Sequence, residues 1–240
     1  YQNLYPVYQT QSLGNTRLDI LPLVQACEAI AASSLTFPLN EKGKTSKKLE
    51  HIAKANGFEN HNAHDALGDV EATIHVAKLI KSNAPKLWEV ALRGRSRRHF
   101  KESIVDGSWR VFQDNNYGWP ITYPGLPVVE INDGRDWLCV DLRKPVPEPS
   151  KIYDEASFKG RDRNFRQLKC AEVPLAFTFE EAADFDAPFL LDVDQINLNS
   201  QSWQEIIDRS KLLEAFEISR PDFLDSEHPE QQIYQRFQAF

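Results

Sequence analysis

The stretch that most constrains this chain is residues 60–80, which read Asn-His-Asn-Ala-His-Asp-Ala-Leu-Gly-Asp-Val-Glu-Ala-Thr-Ile-His-Val-Ala-Lys-Leu-Ile. Apolar residues recur there at steps of three and four, and this spacing predicts an amphipathic helix over 62–82. The predicted buried stripe, apolar except for one threonine, consists of Ala66, Val70, Thr73, Ala77 and Ile80. Asn62 is the predicted N-cap, and Asp65 follows it as in a capping box.

Two polar residues at the start of this helix are candidates for chemistry. Asp69 offers a carboxylate on a rigid element, and hard divalent cations take oxygen ligands. His64 offers an imidazole, which transfers protons near neutral pH. Both residues also have a purely structural interpretation. An aspartate in the first turns of a helix complements the macrodipole, and a lone histidine often only packs.

Length and composition limit the classes of protein to which this chain can belong. A chain of 240 residues, 41% of them hydrophobic, can form one large or two small domains. No run of eighteen apolar residues occurs, so we expect no membrane span. The first residues, Tyr-Gln-Asn-Leu-Tyr, show no basic start followed by an apolar core, so we expect no signal peptide. The three cysteines are widely spaced, which argues against a disulfide framework or a cysteine zinc site and indicates a reducing cytoplasm.

The distribution of charge is uneven along the chain. Residues 171–240 carry fifteen acidic and four basic side chains, whereas residues 1–170 carry twenty-four basic and twenty acidic ones. A polyanion could therefore dock on the first two thirds despite the overall charge of −7. The chain begins with Tyr1 and contains no methionine, so we expect it to be a piece of a longer protein.

Helices and strands are predicted in separate parts of the chain. One helix is predicted over 19–33, with Leu23, Val24, Cys27, Ile30 and Ala31 buried, and a short one follows between Ser46 and Asn56-Gly57. Ser82-Asn83-Ala84-Pro85 is a predicted boundary. Beyond residue 105 we expect strands, with a hairpin of 128–131 and 137–140 around Asp133-Gly134. Further helices are predicted near 179–186, 202–218 and 229–239.

Three basic stretches are candidates for phosphate contact. The first comprises Lys42, Lys44, Lys47 and Lys48; the second comprises Arg93, Arg95, Arg97, Arg98, His99 and Lys101. The third, 158–169, interleaves basic and aromatic side chains, as surfaces that bind single strands do. The alternatives are solvated basic faces for the first two, and a charged loop held by two core phenylalanines for the third.

Around residue 64 the sequence resembles a known family. His64 and Asp69, followed by Ala72-Thr73, resemble the third motif of DEDD-type 3′→5′ exonucleases in its histidine variant. Three runs of the sequence are similar to bacterial exodeoxyribonuclease I. These runs are Asn15-Thr16-Arg17-Leu18-Asp19-Ile20, Leu49-Glu50-His51-Ile52-Ala53-Lys54-Ala55-Asn56-Gly57 and Asn62-Ala63-His64-Asp65-Ala66. Weaker similarities occur at Leu168-Lys169-Cys170 and at Gln232-Ile233-Tyr234 with Phe237.

The resemblance implies an α/β fold. Residues 1–84 would be the C-terminal part of a ribonuclease H-like exonuclease domain, mostly helical, and residues 85–235 an SH3-like β-barrel domain with added helices. Residues 236–240 would begin a missing helical domain. The implied activity is degradation of single-stranded DNA from the 3′ end, releasing 5′-mononucleotides, in DNA repair and recombination.

The resemblance also implies site residues. His64 would be the general base that takes the proton of the attacking water, and Asp69 a metal ligand. Lys48 stands where the family has a substrate-contacting arginine, and lysine keeps the charge but lacks the bidentate fork. Tyr8 would be an aromatic residue near the DNA. The implied cofactor is Mg²⁺, as two ions, with Mn²⁺ as a substitute.

The implied partners are single-stranded DNA and the C-terminal peptide of single-stranded-DNA-binding protein, for a cytoplasmic monomer. The family's Asp-x-Glu strand and second-motif aspartate would both precede Tyr1, so we expect the fragment alone to be inactive. Three alternatives stay open: a DEDD exonuclease that acts on RNA, a non-catalytic binding module derived from such a nuclease, and a structural fragment whose motif is accidental.

Overall fold

A computed structural model describes residues 15–58, 66–116, 119–160, 162–172, 174–185 and 192–219. The helices are α1 (Ile20–Ile30), α2 (Leu49–Ala55), α3 (Ala66–Asn83), α4 (Pro85–Arg93), α5 (Arg97–Glu102), α6 (Phe179–Ala183), α7 (Val193–Ile206) and α8 (Arg209–Ser219). The strands are β1 (Arg110–Asn116), β2 (Trp119–Ile131), β3 (Asp136–Asp141), β4 (Phe165–Leu168) and β5 (Leu175–Phe177). No helix of the described ranges is long and apolar enough to cross a membrane.

Helices α1 to α4 pack together around one buried cluster. In α1 the predicted stripe is confirmed, because Leu23, Val24, Cys27 and Ile30 are all buried. Asp19 caps this helix by accepting a hydrogen bond from the Leu21 amide at 2.9 Å. The spacing of apolar residues along α1 was therefore sufficient to predict which face enters the core.

The buried face of α3 differs from the prediction. The helix exists, but its buried residues are Gly68, Ala72, Val76 and Ile80, whereas Val70 is 54% exposed. Only Ile80 was placed correctly in the buried stripe. Helices α1, α2 and α4 all pack against α3, and small residues such as Gly68 and Ala72 permit close approach of neighbouring backbones. Asn62 and Asp65, the predicted caps, lie outside the described residues.

The strands form one antiparallel sheet in the order β4-β3-β2-β1-β5. The predicted hairpin is confirmed: β2 pairs with β3 in a register that sets Ile131 opposite Asp136. Its turn needs left-handed backbone at three successive residues, namely Asn132, Asp133 and Gly134, with φ values of 54°, 55° and 71°. Asn, Asp and Gly are the residues that adopt this conformation most readily.

The predicted SH3-like barrel corresponds, in the described ranges, to an open five-stranded sheet with β4 and β5 at its edges. The helix break predicted at 82–85 is present, since Ala84 separates α3 from α4 and Pro85 is the first residue of α4. Leu87 and Val90 of α4 nevertheless pack in the same buried cluster as α1 and α3, together with Val111 of the sheet. Division into domains at 84/85 therefore stays a prediction.

The acidic part of the chain is helical, with one correction. The predicted helix 179–186 is observed as α6, which the Thr178–Glu181 capping box begins. The single helix predicted over 202–218 is wrong, because α7 ends at Ile206 and α8 starts at Arg209. The helix is interrupted at Asp208, whose side chain accepts hydrogen bonds from the amides of Ser210 and Lys211 at the start of α8. The helix predicted at 229–239 lies outside the described residues.

Candidate active-site helix and its surroundings

Of the four predicted site residues, the structure describes Asp69 and Lys48. Asp69 lies in the first turn of α3 and is half-buried. Thr73 donates its hydroxyl to the Asp69 carbonyl at 2.8 Å, one turn further along the helix. A carboxylate at this position benefits from the positive end of the helix dipole. His64 and Tyr8 lie outside the described residues, so their predicted roles stay predictions.

The helices around Asp69 are connected by a hydrogen-bond network centred on Asn56. The Asn56 side chain accepts from the Thr36 amide at 2.8 Å and donates to the carbonyls of Thr36 and Ile52 at 2.9 and 2.8 Å. The Asn56 carbonyl contacts His75 Nε2 of α3 at 2.9 Å, and the His75 ring packs on Phe58. This network joins α2, α3 and the loop after α1 into one unit. Sequence reasoning read Asn56-Gly57 only as a helix stop and missed this role.

Lys48 precedes α2 and is exposed, and its ammonium group lies 3.8 Å from Glu50. Such a loose, solvated pair contributes little energy, so the Lys48 charge remains open to a phosphate. Lys47 differs, since it lies 2.6 Å from Glu28 of α1 in a half-buried pair. Glu28 also accepts a hydrogen bond from the Thr45 hydroxyl. Of the predicted lysine cluster, Lys47 thus has a structural partner, while Lys42 and Lys48 present exposed ammonium groups.

A metal centre is not built by the described residues alone. Among them, no group of three or more His, Cys, Asp or Glu side chains is arranged to hold an ion. The role of Asp69 as a metal ligand therefore stays a prediction.

The second basic stretch, 93–101, is divided between structural and exposed charges. Arg93 forms a bidentate pair with Glu181 at 2.6 and 2.8 Å, and these hydrogen bonds raise the pKa of Arg93 and lower that of Glu181. His99 lies between Ser96 Oγ and Arg95 Nη2, at 2.7 and 3.1 Å. The remaining cations of this stretch lie on or beside α5 and face a cavity that is described below.

The third basic stretch, 158–169, is held in the core by its aromatic residues. Phe165 is 1% exposed, and its ring stacks on Phe158 with centroids 5.1 Å apart. Arg166 is buried as well, and its Nε donates to Asp141 at 2.7 Å. These observations favour the alternative of a charged segment held by two core phenylalanines.

The cysteines carry no site chemistry. Cys27, Cys139 and Cys170 are buried free thiols, as the prediction without a disulfide framework requires. Burial raises the pKa of Cys27 to about 11 and that of Cys170 to about 12. A thiol with so high a pKa is not a nucleophile near neutral pH.

Part of the chain is similar in sequence to curated enzymes. Exodeoxyribonuclease I of Escherichia coli K12 is 39% identical over 107 residues, which are 44% of this chain and 22% of that enzyme. The Haemophilus influenzae enzyme of the same name is 38% identical over 109 residues, which are 45% of this chain and 23% of that enzyme. The matches thus span less than a quarter of the length of these relatives. No family model matches the chain.

The fold matches solved structures over nearly the whole chain. E. coli exonuclease I in complex with a dA16 oligonucleotide has a TM-score of 0.68 and 23% identity, covering 96% of this chain and 53% of that one. A zinc-ion-bound E. coli ExoI–ssDNA complex has a TM-score of 0.66 and 22% identity, and the match covers 94% of this chain and 52% of that one. An ExoI/SSB-Ct complex has a TM-score of 0.63 and 21% identity, and the match covers 92% of this chain and 51% of that one.

The helices and open sheet described above therefore have the fold of the corresponding half of exonuclease I. The chain spans about half the length of these solved structures. Where the sequence itself matches, it is similar to the exodeoxyribonuclease I of E. coli and of H. influenzae.

Proposed function

We propose that the intact protein to which this chain belongs is a single-stranded-DNA-specific 3′→5′ exonuclease that releases 5′-mononucleotides, acting in DNA repair and recombination. The observation that carries this proposal is the coincidence of two matches. Exodeoxyribonuclease I of E. coli is 39% identical over 107 residues, and exonuclease I structures cover up to 96% of the chain. An RNA-directed nuclease of the same motif class lacks this support.

In this proposal His64 accepts the proton of the attacking water, and Asp69 contributes a carboxylate to the metal ligands. The half-buried position of Asp69 in the first turn of α3 suits a ligand held on a rigid element. Lys48 is exposed and is proposed to contact a substrate phosphate, and Tyr8 is proposed to lie near the DNA. The proposed cofactor is Mg²⁺, as two ions, with Mn²⁺ as a substitute. The described residues do not complete a metal site, so binding of these ions depends on ligands outside them.

Three further features belong to the same proposal. The open sheet of β1 to β5 is proposed to be part of an SH3-like barrel. One solved structure of this fold is an ExoI/SSB-Ct complex, which supports the C-terminal peptide of single-stranded-DNA-binding protein as a partner. The cellular location is proposed to be the cytoplasm, with the protein a monomer.

The test is hydrolysis of a 3′-labelled single-stranded oligonucleotide by the intact protein with Mg²⁺. His64→Ala is expected to remove most turnover, by a factor of about 10² or more, because a positioned general base contributes that much. Binding of the oligonucleotide in EDTA should persist in this variant. His51→Ala, which changes an exposed histidine of α2, is the matched control and should retain turnover.

Near-normal hydrolysis by His64→Ala would contradict the role assigned to that residue. Hydrolysis of a ribo-oligonucleotide in preference to the deoxyribo-oligonucleotide would contradict the substrate.

A further inference from the structure

A cavity of about 470 Å³ lies between α5 and the turn that joins β2 to β3. Cationic side chains reach it from both walls: Arg97, Arg98 and Lys101 from α5, and Arg135 from the turn. Val105 and Trp137 add apolar surface. Sequence reasoning singled out the cations of α5 but missed Arg135 and Trp137, because only the fold brings the hairpin turn against α5.

The two walls are held rigidly together. Lys101 Nζ donates to the Gly134 carbonyl at 2.8 Å and lies 2.5 Å from Glu130 Oε1, so it ties α5 to both sides of the turn. Arg135 Nε donates to the Asn132 carbonyl at 2.9 Å, which fixes the guanidinium over the turn. A preformed cavity of this kind loses little entropy when a ligand binds.

The ion pairs of the cavity leave two guanidiniums available. Arg98 is paired with Glu102 at 2.9 Å, and Lys101 with Glu130. Arg135 lies 3.7 Å from Asp133, whose side chain is 97% exposed, so this pair is weak. Arg97 is exposed, and within the described part of the chain it makes no ion pair. One available guanidinium therefore comes from each wall, which suits an anion bound between them.

The apolar part of the cavity suits a flat ring. Trp137 is half-buried, and its Nε1 is a buried donor without a hydrogen-bond acceptor among the described residues. Val105 is 66% exposed on the rim. Aromatic surface beside guanidiniums is the combination that binds single-stranded nucleic acid, in which bases stack and phosphates pair with arginine.

We propose that this cavity is a subsite for one nucleotide of a single strand of DNA, apart from the α3 helix that carries Asp69. Arg97 and Arg135 bind its phosphate, and the base lies against Trp137 and Val105. The volume of 470 Å³ is in the range of small-molecule sites and holds one nucleotide unit. The inference rests on the proposed function, because it assigns a residue-level contact to the same substrate.

The test is the double variant Arg97→Gln/Arg135→Gln in the intact protein, with binding of labelled dA16 measured by anisotropy in EDTA over a series of salt concentrations. Affinity should fall by about tenfold, and the salt slope should decrease by about 0.7, as loss of contact with one phosphate of a single strand requires. The matched control is Arg209→Gln/Lys211→Gln, which removes two cations from α8 and should change neither quantity. Trp137→Phe should remove part of the fluorescence quenching caused by dA16.

Unchanged affinity and salt slope in the cavity variant would overturn the inference, as would an equal loss in the α8 control. Selective loss of binding to an acidic peptide, with dA16 binding intact, would also overturn it. If wild type neither binds dA16 nor hydrolyses any single strand, the proposed function itself fails.

Discussion

The two arginine-rich stretches 93–101 and 158–169 look alike in composition but differ in the folded protein. In the first, Arg97 and Arg98 remain exposed beside a cavity. In the second, Phe165 and Arg166 are buried, and the arginine is paired with Asp141. The comparison shows that composition gives the number of cations in a stretch, whereas the fold decides which of them pair with a carboxylate.

The Asp141 cluster shows how the second stretch is used. Asp141 is fully buried and accepts hydrogen bonds from Arg143 at 2.6 and 2.8 Å and from Arg166 at 2.7 Å. Both guanidiniums lie over the Tyr123 ring, at 5.7 and 5.1 Å from its centroid. These contacts join β2, β3 and β4, so the charge in this stretch stabilises the sheet.

The largest effect is expected at the aromatic residue of the second stretch. Phe165→Ala should lower the free energy of unfolding by about 4 kcal/mol, because the truncation leaves a cavity between Phe158 and Trp203. Urea denaturation measures this loss. Leu39→Ala is the control, since Leu39 is 69% exposed and should change stability little. A loss below about 1 kcal/mol for Phe165→Ala would place the ring outside the core.

The next effect concerns the buried ion pair. Arg166→Met should cost about 3 kcal/mol, because Asp141 keeps its burial but loses one of its two partners. The affinity of the Arg166→Met variant for dA16, measured under conditions in which the variant is folded, should equal that of wild type. Reduced affinity in the folded variant would show that the second stretch contacts DNA after all and would remove the contrast with the first.

A smaller effect is expected on acidification. Burial alone raises the pKa of Asp141, but the hydrogen bonds and charges of Arg143 and Arg166 outweigh it and hold the pKa below its ordinary value of 3.8. This contribution to stability is present above about pH 4 and is lost as pH falls through the folded-state pKa. The fall in stability below pH 4 should therefore be shallower in Asp141→Asn than in wild type. Identical pH profiles would exclude Asp141 as a cause.

The smallest effect on stability is expected in the first stretch. Arg97→Gln should change the free energy of unfolding by less than about 0.5 kcal/mol, because Arg97 is exposed and lacks an ion pair among the described residues. Arg98→Gln, which loses the Glu102 pair on the same surface, is a suitable comparison. A large loss from Arg97→Gln would indicate a structural role and weaken the distinction between the two stretches.

Local patterns were reliable where large apolar residues or turn residues decide the outcome. The apolar spacing of α1 predicted its buried face, because Leu23, Val24 and Ile30 all lie on that face. Asp133-Gly134 predicted the hairpin, because few residues other than Asn, Asp and Gly adopt the left-handed backbone of that turn. The break at Asp208 was also readable in principle, since an aspartate that caps the residues after it is an N-cap signal.

The sequence by itself determined α1, the existence of α3, the β2–β3 hairpin and the resemblance carried by the residues around His64 and Asp69, because these depend on short-range spacing and residue type. The tertiary structure decided that Gly68 and Ala72, not Val70, form the buried face of α3, because packing on three sides rewards small residues. It also decided which arginines are available, because the partner carboxylates Asp141 and Glu181 are distant in sequence from Arg166 and Arg93. Charge pairing across the fold is a property of distance in space, and no local pattern records it.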